Sequence, residues 1–138
     1  MRVFTANIRL TTTKKTEEVK ITDQVEAIVA ESRIKEGFVL VSTGHTTAAI
    51  HLNNEDRDLE DDFHLFLNEL IPNKAEYKHN RGEYGRNADA HFKSLLVGTS
   101  LTLPVTKGRL GLGQWQALYF SEFDGPRNRL ISVKVMGI

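Results

Sequence analysis

The chain reads as an α+β protein: a mostly antiparallel sheet sandwich with a few short helices. Three observations predict this. The amino terminus alternates apolar and polar residues, the segment after Gly98 carries only strand signals broken by glycine and proline turns, and the helical periodicities between them are short.

The first segment, "MRVFTANIRL", sets Phe4, Ala6, Ile8 and Leu10 on one face and mostly polar residues on the other, as a half-buried strand requires. "EEVKIT" is its expected hairpin partner, joined through the polar "TTTKKT". Asp23 followed by Glu26 resembles a capping box, and Val25, Ile28 and Val29 make a short helical stripe that stops near Gly37. "FVLVST" is apolar on both faces, the mark of a central strand. "GHTTAAIHLNNE" then returns to alternation, with Ala48, Ile50 and Leu52 on one face.

Leu59, Phe63, Phe66, Leu67 and Leu70 recur at helical spacing, the strongest such pattern in the chain, and Pro72 ends it. From Asn73 to Arg86 the polar, aperiodic sequence reads as a long loop, a type of segment that often carries function. "GRNADAHFKSLLVG" opens a short helix with Asn87 as its cap and Ala88, Phe92, Leu95 and Leu96 as its stripe. Then come "SLTLPV" and "QWQALYFSEF", flanking the glycine turn "TKGRLGLG", and finally "RNRLISVKVMGI" after "DGPR". The order β-β-α-β-β-α-α-β-β-β shows no repeat or linker, so residues 1–138 are expected to form one domain.

Composition excludes several function classes. Eighteen basic residues balance eighteen acidic ones, which gives no general attraction to nucleic acid or an anionic membrane; any bound anion must be held by local geometry. There is no cysteine, hence no disulfide, thiolate metal site or cysteine nucleophile. No stretch has the length and apolarity of a signal peptide or membrane span, and a cytoplasmic location is expected.

Among the groups that could carry chemistry, His45 lies in "STGHTT" at the end of a buried strand, His79 in the long loop, and His91 one turn beyond Asn87. Three converging neutral imidazoles would suit a zinc-like ion and leave a fourth position open, although no HxH or HExxH spacing groups them. Taken singly, His91 reads as a hydrogen-bonded core residue and His79 as a solvated one. His51 and His64 are expected at the surface or in subunit contacts, and Asp62, beside Leu59 and Phe66, is a candidate to face inward.

Asp89 complements the positive end of its helix dipole. Glu122 continues the face of Leu118 and Phe120, where a buried carboxylate needs a partner or a raised pKa, and either would suit acid–base work. Arg127 and Arg129 offer forked donors for phosphate, while Lys107 and Arg109 flank a glycine loop that lacks the Walker order. Trp115, with Tyr119 and Phe120, reads as core, and "QWQALYFSEF" is apolar enough on both faces to be covered by another subunit.

The segments "STGHTTAAIHLNNE", "YKHN", "NADAH", "LPVTKGRLGLGQWQ" and "FSEFDGPRNR" together resemble the YjbQ-like family, described as secondary thiamine-phosphate synthases, over nearly the whole chain. The loop "KHNRGEYGR" is unusually basic beside that pattern. The resemblance implies an α+β homotrimer with one pocket. Its implied catalytic groups are Glu122, His45 and Asp89; Thr46, Thr47, Asn54, Glu55, Asn87, Gln116 and Arg127 are implied to bind substrate. His45, His79 and His91 are implied ligands of a divalent metal, Zn2+ or Mg2+. The implied reaction transfers a pyrimidine from its diphosphate onto a thiazole phosphate. A metal-dependent hydrolase of a phosphorylated or amide substrate, or a non-catalytic trimeric metabolite-binding protein, are the competing expectations.

Overall fold

The computed structural model describes residues 1–83 and 85–138; Tyr84, inside the expected loop, lies outside the described residues. The elements in order are β1 (Arg2–Thr11), β2 (Glu17–Lys20), α1 (Thr22–Ser32), β3 (Glu36–Ser42), β4 (Ala48–Asn54), α2 (Arg57–Leu70), a 3₁₀ turn (Lys78–Arg81), α3 (Ala88–Val97), β5 (Ser100–Thr106), β6 (Arg109–Leu110), β7 (Gln116–Glu122) and β8 (Asn128–Gly137).

Two antiparallel sheets face each other, one ordered β1-β8-β3-β5-β6 and the other β2-β7-β4. Their inner faces interlock Ile8, Val39, Val41, Ile131, Val133 and Val135 with Ala48, Ile50, Leu118 and Phe120, and α1 adds Val25, Ile28 and Val29. Strand alternation explains the choice of residues: β8 buries its odd positions from Arg129 to Gly137 and turns the even ones outward. β3 lies between β8 and β5, as its two apolar faces predict.

One pairing differs from expectation. β2 does not close a hairpin with β1 but crosses to the other sheet and pairs with β7, Glu18 opposite Ser121. The connection "TTTKKT" is therefore a link between sheets, and local alternation alone cannot distinguish the two arrangements.

The outer face of the small sheet is covered by this chain's own helices, so the apolar second face of β7 needs no other subunit. Ala49, Leu67, Ala90 and Phe123 form a second small core there, with Phe63 and Val97 against it. The helix patterns themselves are only partly realised. α2 is capped by Asp56, whose side chain accepts from the amides of Asp58 and Leu59. Of its apolar stripe only Leu67 is fully buried, while Phe66 and Leu70 are exposed, as is Asp62.

α3 is turned over relative to the expected stripe. It buries Ala88, Asp89, Ala90, Lys93 and Ser94 and exposes Phe92, Leu95 and Leu96. Specific polar bonds fix this rotation: the Ser94 hydroxyl donates to the Ala48 carbonyl at 2.7 Å, and Lys93 reaches Asn68 and Asp89. α1 begins at Thr22 after Ile21, with no side-chain cap, so the Asp23 and Glu26 box does not form. Among the described residues no helix is long and apolar enough to cross a membrane.

Candidate functional site

At one end of the small sheet three segments surround a hollow of about 510 Å³. The β3–β4 loop brings Gly44, His45, Thr46 and Thr47; the start of α3 brings Asn87 and His91; the turn into β8 brings Arg127, Asn128 and Arg129. None of these lining residues is acidic, whereas two are arginines. Such a lining favours an anion.

The electrostatics are set by what lies directly behind. Glu122 is fully buried and makes a forked pair with Arg129: Arg129 Nε donates to Oε1 at 2.8 Å and Nη2 to Oε2. The Thr12 hydroxyl donates to Oε1 at 2.7 Å and the Asp124 amide to Oε2 at 3.0 Å. Burial by itself would push the Glu122 carboxyl up, but the Arg129, Asp124 and Thr12 bonds outweigh it and hold its pKa below the ordinary carboxylate value. Glu122 therefore stays ionised and does not line the hollow. Of the two expected outcomes, a partner or a raised pKa, the partner is found: Glu122 orients Arg129, which also donates through Nη2 to the Thr47 hydroxyl at 2.9 Å.

A similar chain supports the other arginine. Arg127 Nη2 donates to Asp124 at 2.9 Å, Asn87 Nδ2 donates to the same carboxylate oxygen at 2.8 Å, and Lys15 approaches from the β1–β2 link at 3.3 Å. Although burial opposes it, these partners lower the Asp124 pKa. The link is held close because residue 125 is glycine: a Cβ there would stand 2.2 Å from the Lys14 carbonyl oxygen.

The three histidines are distributed unequally. His45 borders the hollow, but its Nε2 accepts the Leu130 amide at 3.0 Å, so the neutral ring carries its proton on Nδ1. Burial, followed by the neighbouring Arg129 charge, lowers its pKa. His79 and His91 stand edge to face with ring centres 5.1 Å apart, and His79 Nε2 is 2.8 Å from Asn87 Oδ1. Of these two only His91 reaches the hollow; with His79 it also lines a smaller apolar recess beside Phe92.

Among the described residues no three His, Asp or Glu side chains share a centre able to hold a metal ion. The expected three-histidine ligand set is thus not assembled, because His45 Nε2 is turned to a backbone amide and His79 to Asn87.

Asn87 is the cap residue of α3 by position, yet its side chain makes no cap bond. It bridges His79 and Asp124 instead, and the Ala88 amide is taken by Asn80 Oδ1 at 3.0 Å. Asp89 is also displaced from its expected catalytic place. It is buried in an ion pair with Lys93 at 3.3 Å and accepts from Asn73 at 3.2 Å, away from the hollow's lining.

Asn54, Glu55 and Gln116 sit at the other end of the sheet. Ala48 pairs with Glu122 and Asn54 with Gln116, so the full length of β4 separates them from the hollow, roughly 20 Å at about 3.3 Å per residue. Thr46, Thr47 and Arg127 do meet as expected, joined by Arg129, Asn128 and Asp124. Thr12 gave no separate signal in the sequence because its partners Glu122 and Arg127 lie more than a hundred residues away, and Asp124 gave none because it gathers Arg127, Asn87 and Lys15 from three separate segments.

The family model described as "UPF0047 protein YjbQ-like" matches residues 6–138. A UPF0047 protein of Archaeoglobus fulgidus is 47% identical over 129 residues, covering 94% of this chain and 98% of the relative. YugU of Bacillus subtilis is 42% identical over 132 residues, with 94% and 97% covered. Among solved structures, a YbjQ-like protein from Sulfolobus solfataricus P2 superposes with a TM-score of 0.96 at 38% identity, covering 99% of each chain.

Proposed function

The chain belongs to the YjbQ-like UPF0047 family, and from that premise we propose that its hollow binds and acts on a phosphorylated small molecule. The observation that carries this reading is the lining: Arg127, Arg129, His45 and His91 with threonine hydroxyls and asparagine amides, and no acidic residue among them. Glu122 and Asp124 behind the arginines orient them without facing the ligand.

The finer form of the proposal is thiamine-phosphate synthase-like transfer. The thiazole nitrogen attacks the pyrimidine methylene carbon, a C–N bond forms, the C–O bond to diphosphate breaks, and the electron pair leaves with the diphosphate. Arg127, whose side chain is exposed, neutralises that growing charge with Arg129 fixed behind it, and Thr46 offers a hydroxyl donor. His91, whose ring makes no hydrogen bond among the described residues, is the group placed to give the leaving diphosphate a proton. Among the described residues the divalent ion expected from the histidines has no three-ligand seat.

Assembly as a homotrimer belongs to the same proposal. Phe92, Leu95 and Leu96 are exposed on α3 next to the hollow, an apolar surface that another copy would cover. Sedimentation of the purified chain measures this directly. A cytoplasmic location also remains part of the proposal.

The test supplies the full chain with a pyrimidine diphosphate and a thiazole phosphate and measures diphosphate release. Turnover is expected, with Arg127→Ala reducing it about a hundredfold and His91→Asn by a similar factor. Phosphate binding without release in a panel of phosphorylated metabolites would leave a non-catalytic binding protein. Hydrolysis of a phosphorylated or amide substrate that is lost on chelation and restored by Zn2+ or Mg2+ would favour the metal-dependent hydrolase instead.

A further inference from the structure

At the end of the small sheet opposite the hollow lies a second concavity of about 580 Å³. It is lined by Asn54, the last residue of β4, with Glu55 and Asp56 beyond it, and by Gln114 and Trp115 ahead of β7 with Gln116 and Ala117 at its start. Trp115 is the only tryptophan of the chain and is 70% exposed, not packed in the core as its sequence neighbourhood predicts. β7 begins one residue later, at Gln116, so the indole belongs to the turn and not to the strand.

That turn is held in place. A Cβ at Gly111 would come within 2.7 Å of Pro104 Cγ, so the backbone lies directly against β5. The Gly113 amide donates to Gln116 Oε1 at 2.8 Å, which orients the Gln116 amide and leaves its Nε2 as a donor. The indole is therefore presented on a short, braced segment beside amide groups.

The charged groups of the rim are already engaged. Glu55 pairs with Lys20 at 2.9 Å, and Asp56 Oδ1 caps α2 at 2.9 Å from the Asp58 amide. The side chains of Asn54 and Gln114 make no hydrogen bond among the described residues. What remains to meet a ligand is one aromatic face and three amides. A protein partner would favour a continuous apolar patch, whereas here a single large apolar group stands among polar ones.

We propose that this concavity binds a planar nitrogen heterocycle bearing an exocyclic amine, of the adenine type, stacked on Trp115 with its edge read by the amides of Asn54, Gln114 and Gln116. Stacking is open to any flat π-face, and side-chain amides supply the adjacent donor and acceptor that such an edge complements. No arginine or lysine lines the concavity and two carboxylates do, so an attached phosphate is unfavourable. The site is independent of the anion hollow and does not rest on the function proposed for it.

The experiment uses the full chain and its single indole as reporter. Adenosine is expected to quench Trp115 fluorescence saturably, with adenosine monophosphate binding at least tenfold more weakly and glucose not at all. By calorimetry, Trp115→Ala should weaken adenosine at least tenfold and Gln116→Ala several-fold, while inorganic phosphate binding is unchanged in both. The proposal is overturned if adenosine neither quenches nor releases heat, if the monophosphate binds equally well, or if Trp115→Ala retains full affinity. It is overturned equally by glucose quenching in adenosine's place. A blue-shifted Trp115 emission that moves red on dilution would show a second copy covering the indole, and would also defeat it.

Discussion

Two buried carboxylates on the small sheet, one per face, have opposite kinds of partner. Glu122 receives a forked guanidinium, a hydroxyl and an amide, so both of its oxygens are satisfied. Glu18 faces imidazoles. Its Oε2 accepts the Ser121 hydroxyl at 3.0 Å with His51 Nε2 3.5 Å away; its Oε1 lies 3.0 Å from His64 Nε2, yet neither of those two atoms makes a hydrogen bond. An arginine carries its charge at every physiological pH, whereas a histidine does not. Glu122 is thus held by a permanent cation with both oxygens bonded, whereas Glu18 has one oxygen without a hydrogen bond. The difference also corrects the expectation for His51 and His64: their side chains are 15% exposed and lie against this carboxylate under α2.

The largest effect should come from breaking the locked pair. Glu122→Ala or Arg129→Met strands a buried charge, and each is expected to cost about 3–5 kcal/mol in denaturant unfolding. The double variant Glu122→Leu with Arg129→Met should recover much of that loss while still failing to bind phosphate, which separates stability from anion recognition.

A smaller effect is expected at Glu18. Glu18→Ala should cost about 1–3 kcal/mol in denaturant unfolding, because it removes the buried acceptor of the Ser121 hydroxyl. An unchanged midpoint would show that Ser121 is served by His51 alone.

The smallest effect is that of pH on the unchanged chain, and its sign follows from the shifts. Burial lowers the pKa of His45 and of His51, so the folded state takes up these protons less readily than the unfolded chain. Their stabilisation is complete above the unfolded histidine value of about 6.5 and is lost as pH falls below it. Glu122 and Asp124, both lowered, add a second loss below the unfolded carboxylate values of about 4. Urea titrations from pH 8 to pH 3 should therefore show two stages of decline, and Glu122→Gln should reduce the second.

Local pattern made part of this legible. The alternation of β1, the doubly apolar β3 and the end of α2 before Pro72 are all found, because each follows from nearest-neighbour geometry. The partner of β2 and the rotation of α3 are not of that kind. The first depends on which sheet accepts Glu18 opposite Ser121, and the second on Ser94 and Lys93 finding Ala48 and Asn68 across the fold. In the site, Thr46, Thr47, His45, His91, Asn87 and Arg127 do line one hollow. The sequence does not reveal that Glu122 and Asp89 are already paired with cations, or that Asn54, Glu55 and Gln116 line a separate concavity.

The position of Gly125 has a further consequence, for how this chain can vary. A surface connection ordinarily absorbs inserted or deleted residues with little effect. Here the stretch after β1 is stitched to the turn before β8 through Thr12 with Arg127 and Lys15 with Gly125, with barely an atom's clearance. Lengthening that outer stretch by a residue would shift both arginines out of register, so the segment that looks most free to drift is tied to the geometry of the anion-binding end.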